Sequence, residues 1–182
     1  MHMKGIFRSI AAQVVVLGVL AHATVPAVAA GEPPSKFKVG DTAPDFTLQN
    51  TGGSSVRLSS FAGDKVVLLA FWSLRCGACL QEVSHLNRIH REFGERGVAV
   101  VSVVTDGVDA AATKEIMKEV GAAPAYLVLV DPDFAVSDTY TNFVVPHTLV
   151  IDRKGVVRYV HTGFEPGDEK HYEAALSAAL GS

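Results

Sequence analysis

The chain has 182 residues, and its 16 Lys and Arg side chains against 19 Asp and Glu side chains give a net charge of −3. No basic stripe interleaved with aromatic residues occurs, so the composition argues against a nucleic-acid-binding protein. The length suits one domain of ordinary size behind a short leader. We therefore expect no nucleic-acid partner and, beyond the leader, no membrane span.

The first thirty residues have the three parts of a secretory signal peptide. Two basic residues supply the positive start, residues 10–21 form a short apolar run, and residues 28–30 (VAA) resemble a cleavage site. We predict a signal peptide over residues 1–30 and one exported domain over residues 31–182. An uncleaved N-terminal membrane anchor is the alternative, although the apolar run is short for a membrane span.

Hydrophobic periodicity in the rest of the chain predicts an α/β domain with a parallel centre. The continuous apolar runs VVLLAFW (66–72) and VAVVSVV (98–104) are typical of strands that are covered on both faces of a sheet. Between them we predict a helix over 77–93, with His90 on its buried stripe. The other predicted elements are a hairpin over 45–58, a helix over 110–120, a strand over 126–130, a short helix ending near Tyr140, a hairpin with alternating strands over 148–152 and 156–161, and a closing helix over 169–180.

The only two cysteines of the sequence, Cys76 and Cys79, stand where the first buried strand ends and the next helix begins. In open α/β sheets this edge is where chemistry is usually placed. As a structural staple the pair is poor, because so short a ring is worth only about 2 kcal/mol. Structural zinc needs four ligands, and haem attachment needs a histidine where Leu80 stands. We favour a redox-active disulfide, and copper binding by the two cysteines and a distant histidine is the open alternative.

The position of the pair favours Cys76 as the attacking thiolate. Unpaired N–H groups and the macrodipole at a helix N-terminus favour a negative sulfur by about 1 kcal/mol, and Arg75 adds a neighbouring positive charge. Cys79, one turn further into the helix, is expected to be more buried and protonated. Thiol–disulfide exchange needs this asymmetry, because one thiolate attacks the client and the second resolves the mixed disulfide.

The segment FWSLRCGAC (71–79) resembles the active-site segment of the thioredoxin superfamily. From about Val39 onward the chain resembles the exported TlpA/ResA/CcmG-like branch of that superfamily. The resemblance rests on VGDTAPDFTL (39–48), VRLSSFAGDKVVLLAFW (56–72), VVPHTLVIDRKGVVRYVHTGF (144–164) and Glu82. It implies a thioredoxin-like fold with an N-terminal β-hairpin, a central αβ insertion, and helices on both faces of a mixed sheet. It also implies a periplasmic location and a disulfide-reducing role.

The resemblance implies roles for residues outside the cysteine pair as well. Pro146 matches a proline that the family holds in cis opposite the cysteines, so that the backbone of Val145 would pair with an extended client segment. Glu82 matches a buried carboxylate, and a half-buried position would raise its pKa so that it exchanges a proton with Cys79. A solvated helix glutamate is the alternative. Trp72 is expected to pack under the site, in the core, or both.

Several positions depart from the family pattern. Ala70 stands where related proteins carry a buried Asp or Asn, so no second acid would share the proton transfer. Arg75 replaces an aromatic residue, and Gly77 and Ala78 replace a pair that contains proline. His147 follows the matched proline, where it would either sense pH near the groove or be a plain loop histidine. The predicted client-contacting residues are Trp72, Arg75, Gly77, Ala78, Val145 and His147.

The sequence thus predicts a periplasmic thiol–disulfide oxidoreductase in which Cys76 attacks, Cys79 resolves, and Glu82 and Pro146 complete the catalytic set. Its expected partners are exported clients, such as apocytochrome c in cytochrome c maturation or copper-site proteins, and an upstream thiol reductant such as a membrane electron carrier. No cofactor and no metal are expected. The alternatives are a disulfide oxidase or isomerase, or a module that binds copper or a client through the two cysteines and His147 without turnover.

Overall fold

A computed structural model describes residues 35–181, so the predicted signal peptide and its cleavage site lie outside the described residues. Seven strands and four α-helices follow one another there in the predicted order. The strands are β1 (Thr47–Asn50), β2 (Ser55–Arg57), β3 (Val66–Trp72), β4 (Val98–Val104), β5 (Leu127–Val130), β6 (His147–Ile151) and β7 (Val157–Thr162). The helices are α1 (Gly77–Phe93), α2 (Ala110–Glu119), α3 (Ala135–Thr141) and α4 (Glu169–Leu180), and a 3₁₀ turn spans Leu58–Phe61. None of the described helices has both the length and the apolar character that a membrane crossing requires.

The strands form one mixed sheet in the order β2–β1–β5–β4–β3–β6–β7. Strands β3, β4 and β5 are parallel, and β3 pairs with β4 along its whole length, from Val66 opposite Val98 to Trp72 opposite Val104. The outer strands are antiparallel to their neighbours. All seven residues of β3 are buried, because a strand in the middle of such a sheet is covered on both faces. The predicted mixed α/β sheet is confirmed.

Helices cover both faces of this sheet. On one face, α1 and α4 pack through Leu86 and Leu176 against Leu68 of β3. On the opposite face, α3 packs through Tyr140, whose ring stacks on Phe71 at a centroid distance of 5.1 Å. Alternate residues of the same strand therefore serve two separate apolar layers, as the period of two in a strand requires. The predicted thioredoxin-like arrangement is confirmed.

Two details of the sequence prediction are wrong. The buried stripe of α1 contains Ile89 instead of His90, which is half-buried with its ring 6.5 Å from that of Tyr126. The strand β6 does not alternate between buried and exposed residues, because all five of its residues are buried. It lies between β3 and β7 with packing on both faces, so even the polar side chain of Thr148 is enclosed.

Candidate active site

The two cysteines lie at the sheet edge formed by the carboxyl ends of β3, β4 and β5. Cys76 is the N-cap of α1, with an extended backbone (φ −97°), and its Sγ accepts a hydrogen bond from the N–H of Cys79 at 3.2 Å. A disulfide joins the two sulfurs. Cys76 is partly exposed, whereas Cys79 is only 1% exposed. A partner can therefore approach the first sulfur and not the second, which is the predicted asymmetry.

The loop before β6 faces the cysteine pair. The Val145–Pro146 peptide bond is cis, as the resemblance implies. The carbonyl oxygen of Val145 lies 4.0 Å from Sγ of Cys76, and within the described residues its N–H has no hydrogen-bond partner. The carbonyl oxygen of Pro146 accepts the N–H of Gly163 at 2.8 Å. The backbone of Val145 thus presents a free donor beside the reachable sulfur, while the next residue is tied to the sheet.

An apolar cluster supports the pair from below. Trp72, Leu74 and Val83 surround the side chain of Cys79. The indole of Trp72 is buried, and its Nε1 donates a hydrogen bond to Oγ of Ser102 at 3.1 Å. Trp72 therefore belongs to the core and also packs under the site. Its burial leaves it no surface for a client to contact, although the sequence places it among the client-contacting residues.

Asp106 holds the segment that leads into the cysteine pair, and the sequence analysis did not find it. Its two carboxylate oxygens accept the hydroxyl of Ser73 at 2.9 Å and the N–H of Leu74 at 2.8 Å. The N–H of Arg75 in turn donates to Oγ of Ser73 at 3.1 Å. Asp106 follows the carboxyl end of β4, so its place beside the end of β3 could have been expected from the parallel pairing of these strands. Arg75, Gly77 and Ala78 lie at the rim, where Arg75 and Gly77 are exposed and Ala78 is half-buried.

Glu82 is buried beneath the pair, on the face of α1 that meets α4. The carboxylate is 1% exposed, not half-buried as the sequence analysis expects. Its Oε1 accepts two hydrogen bonds, from Oγ1 of Thr148 at 2.9 Å and from the hydroxyl of Tyr172 at 3.0 Å. Burial raises the pKa of Glu82 to about 7, the two hydrogen bonds oppose that rise, and the negative charge of Asp168 adds to it. The carboxyl is therefore poised to gain or lose a proton near neutral pH.

Sequence reasoning assigned neither hydrogen-bond partner of Glu82. Tyr172 lies within the predicted closing helix, and a buried tyrosine hydroxyl usually finds a hydrogen-bond partner, which is the signal that points to this contact. Thr148 is the strand partner of Ala70 in the sheet. The polar group that reaches Glu82 at this level of the sheet therefore comes from β6, since position 70 of β3 is apolar.

The expectation that His147 lies in a loop near the groove is wrong. His147 is the first residue of β6 and is 1% exposed. Its Nδ1 shares a hydrogen bond with Oγ1 of Thr162 at 2.8 Å, and its Nε2 shares one with Oγ of Ser35 at 3.2 Å. Burial lowers the pKa of His147 to about 4, with a smaller effect from His161. The imidazole is neutral near pH 7 and does not face a client.

These positions also bear on the copper alternative. Both ring nitrogens of His147 are engaged in hydrogen bonds on the face of β6 opposite to Thr148 and Glu82. Among residues 35–181, no group of three or more His, Cys, Asp or Glu side chains is arranged to hold a metal ion. The distant histidine that a two-cysteine copper site requires is therefore not supplied by His147.

Comparisons with known proteins agree with this geometry. The redoxin family model matches residues 38–176. The thiol-disulfide oxidoreductase ResA of Bacillus subtilis (strain 168) is 32% identical over 149 residues, which cover 82% of this chain and 80% of the relative. ResA of Geobacillus kaustophilus is 30% identical over 138 residues, covering 75% of this chain and 77% of the relative.

A solved structure leads to the same family. The crystal structure of a Chlorobium tepidum protein assigned as the thiol:disulfide interchange protein DsbE superposes with a TM-score of 0.72 at 31% identity, and the match covers 79% of this chain and 99% of the other. The described fold, the cysteine pair at the start of α1 and these matches together identify the class of enzyme. The chain is a thiol–disulfide oxidoreductase that belongs to the redoxin family, in the ResA/CcmG-like branch of the thioredoxin superfamily.

Proposed function

We propose that this protein is exported to the periplasm and reduces disulfides in other exported proteins, with apocytochrome c and copper-site proteins as candidate clients. The observation that carries the proposal is the unequal exposure of the two sulfurs, since Cys76 is reachable and Cys79 is not. The signal-like sequence of residues 1–30 supports export. Identity with the two ResA proteins supports the branch, and the clients remain our proposal.

The reduced protein begins the reaction at Cys76. Its thiolate is stabilised by the N–H of Cys79 and by the start of α1, the same groups that surround the sulfur in the disulfide. The thiolate attacks one sulfur of a client disulfide, an S–S bond forms to Cys76, and the other client sulfur leaves as a thiolate. The unpaired N–H of Val145 donates a hydrogen bond to a carbonyl oxygen of an extended client segment, which aligns the client disulfide with the attacking sulfur.

Glu82 accepts the thiol proton of Cys79 in the second step. Because Oε1 already accepts the hydroxyls of Thr148 and Tyr172, the carboxyl takes up a proton on Oε2. A pKa of about 7 makes the carboxylate a suitable base for the thiol of Cys79 near neutral pH. The resulting Cys79 thiolate attacks Sγ of Cys76, the second client sulfur leaves, and two electrons have passed from the enzyme to the client.

The enzyme must then be reduced again. A dithiol donor attacks Cys76 in the disulfide, and the steps run in reverse, with Glu82 returning its proton to Cys79. An upstream thiol reductant, such as a membrane electron carrier, is the partner that this step requires. Since the disulfide form is the one in the structure, the described conformation is the acceptor for that donor.

Insulin reduction coupled to dithiothreitol tests the proposal. The wild-type protein should accelerate the reaction, Cys76→Ser should abolish the acceleration, and Cys79→Ser should accumulate a mixed disulfide with insulin. Equal low rates for all three proteins would contradict an enzymatic role. The Cys79→Ser protein, expressed with its leader and recovered from the periplasm, should carry a disulfide-linked client that mass spectrometry can identify.

The direction of electron flow is tested by equilibrium with glutathione buffers. A reductant should have a potential at or below about −230 mV, whereas a disulfide oxidase of the DsbA type lies near −120 mV. A measured value near the second figure would replace the reductase proposal by the oxidase alternative. If the protein instead restored the activity of a substrate protein with mispaired disulfides, an isomerase would be favoured.

A further inference from the structure

Two exposed phenylalanines, one directly before α3 and one two residues before Val145, have no role in the chemistry above. Phe143 is 58% exposed and Phe134 is 38% exposed. Their rings meet edge to face, with centroids 6.1 Å apart, and we call this pair the aromatic ledge. Exposed phenylalanine is unusual at a protein surface, and aromatic side chains are enriched where proteins bind partners. The ledge is therefore a candidate contact surface.

Both residues of the ledge have unfavourable backbone conformations. Phe134 has φ 59° and Phe143 has φ 60°, and Asn142, directly before Phe143, has φ 50°. Bulky residues rarely adopt positive φ, because Cβ then lies too close to the backbone. Such strain persists where the surrounding structure fixes it, and it is concentrated at binding and catalytic sites. Folding alone would favour asparagine or glycine at position 143.

Neighbouring contacts fix the ledge in place. The ring of Phe134 lies directly on Gly107, where an added Cβ would come within 2.3 Å of the ring. The N–H of Phe143 donates to Oγ1 of Thr141 at 2.9 Å. The ledge is thus presented as a rigid surface, and forming a contact with it requires little further ordering of the protein.

Two short links in the chain connect the ledge with the proposed client site. Phe143 lies two residues before Val145, whose carbonyl oxygen is 4.0 Å from Sγ of Cys76. In the second link, Gly107 under the ring of Phe134 directly follows Asp106, which holds the segment before the cysteines through Leu74. An extended client segment that pairs with the backbone of Val145 therefore passes the ledge within about two residues of its attacked cysteine, at about 3.3 Å per residue.

We infer that the aromatic ledge binds an aromatic or aliphatic side chain of the client polypeptide, located about two residues from the cysteine that Cys76 attacks. This inference rests on the proposed function, and it names the class of segment that the site accepts. The ledge contributes binding energy to polypeptide clients and none to small disulfides, which reach Cys76 without contacting it.

Three disulfide substrates, two peptides that differ in one side chain and one small molecule, test the inference. Two are hexapeptides with one cysteine linked to thionitrobenzoate, carrying either Phe or Gly two residues from that cysteine, and the third is dithiobis(nitrobenzoic acid). The reduced wild-type protein should have a KM for the Phe peptide about tenfold below that for the Gly peptide, in the range of one well-packed aromatic contact. Thionitrobenzoate release gives the rates.

The decisive variant is Phe143→Asn, because asparagine tolerates positive φ better than phenylalanine. We expect its KM for the Phe peptide to rise about tenfold, its rates with the Gly peptide and the small disulfide to stay unchanged, and its melting temperature to stay level or rise. Phe143→Tyr should restore the low KM. The matched control is Val39→Asn, which removes an apolar side chain that is 61% exposed next to Gly40, whose N–H donates to the carbonyl oxygen of Val157 at the start of β7, and it should change none of the rates.

Each other outcome overturns the inference. Equal KM values for the two peptides, or an equal rise in KM for both peptides in Phe143→Asn, would show that the ledge does not bind the phenylalanine side chain of the peptide. A wild-type dimer in sedimentation that dissociates in Phe143→Asn would make the ledge a contact between copies of this chain. Failure of the wild-type protein to reduce any of the three disulfides faster than Cys76→Ser would remove the proposed function itself, and the inference with it.

Discussion

The opposite pKa shifts of two buried groups predict a stability profile that single substitutions should reveal. Burial raises the pKa of Glu82 from 4.5 to about 7 and lowers that of His147 from 6.5 to about 4. Each group is therefore held neutral in the folded protein, and each becomes charged on unfolding in part of the range between pH 4 and 7. Because one group loses a proton on unfolding and the other gains one, their effects on stability have opposite signs.

The sign and size follow for each group separately. Between pH 4.5 and 7 the folded protein keeps the proton of Glu82 that the unfolded chain releases, so the free energy of unfolding falls as pH rises, by about 3 kcal/mol in total. Between pH 6.5 and 4 the unfolded chain binds a proton at His147 that the folded protein refuses, so the free energy of unfolding falls as pH decreases, also by about 3 kcal/mol. In the wild-type protein the two contributions nearly cancel.

The assay is guanidinium unfolding of the disulfide form, followed by the fluorescence of the single tryptophan, Trp72. Glu82→Gln should lose about 2 kcal/mol of unfolding free energy between about pH 7 and about pH 5, because only the His147 contribution remains. His147→Asn should instead gain about 2 to 3 kcal/mol over the same range. The pH slope of each variant is compared, so a general loss of stability in a variant does not affect the result.

Three carboxyl groups with lowered pKa values do not obscure this range. The pKa values of Asp45, Asp152 and Glu169 are lowered, chiefly through hydrogen bonds from backbone N–H groups that outweigh their desolvation. The stability that each contributes is lost only as pH falls through its lowered pKa, below the range measured. Parallel pH slopes for the wild type and both variants would refute the assignment of buried, neutral Glu82 and His147.

Further substitutions test the neighbouring contacts. Tyr172→Phe removes one of the two hydrogen bonds that favour the ionised form of Glu82, so the pH midpoint of mixed-disulfide resolution in stopped-flow single turnovers should rise. The control is Tyr126→Phe, which removes a buried hydroxyl without a described partner and should leave that midpoint unchanged. Equal shifts in both variants would contradict the role of the contact between Tyr172 and Glu82. Asp106→Asn removes one acceptor of the segment before the cysteines and should cost about 1 kcal/mol in chemical unfolding; an unchanged midpoint denaturant concentration would show that the contact does not hold the segment. Arg75→Ala removes an exposed charge and should slow iodoacetamide alkylation of the reduced protein by less than about threefold, whereas a tenfold loss would mean that Arg75 stabilises the thiolate far more strongly than an exposed charge can.

The sequence by itself determined the elements that carry the cysteines. The bounds of β3, α1 and β4 agree residue by residue with the expectation from apolar runs and helical spacing, because those signals are local and strong. The place of Cys76 at the start of a helix follows from the same local pattern. The chemistry of the pair, and its unequal exposure, could therefore be argued before any tertiary contact was known.

The tertiary structure alone decided the environment of the site. Glu82 is hydrogen-bonded to Thr148 and Tyr172, which lie 66 and 90 positions away in the chain. His147 contacts Ser35, which lies 112 positions away. Local periodicity contains no information on which strand or helix comes to lie against a given side chain. The burial of a side chain depends on every strand and helix that packs around it. The burial of Glu82 and His147 could therefore not be predicted from their neighbours in the sequence.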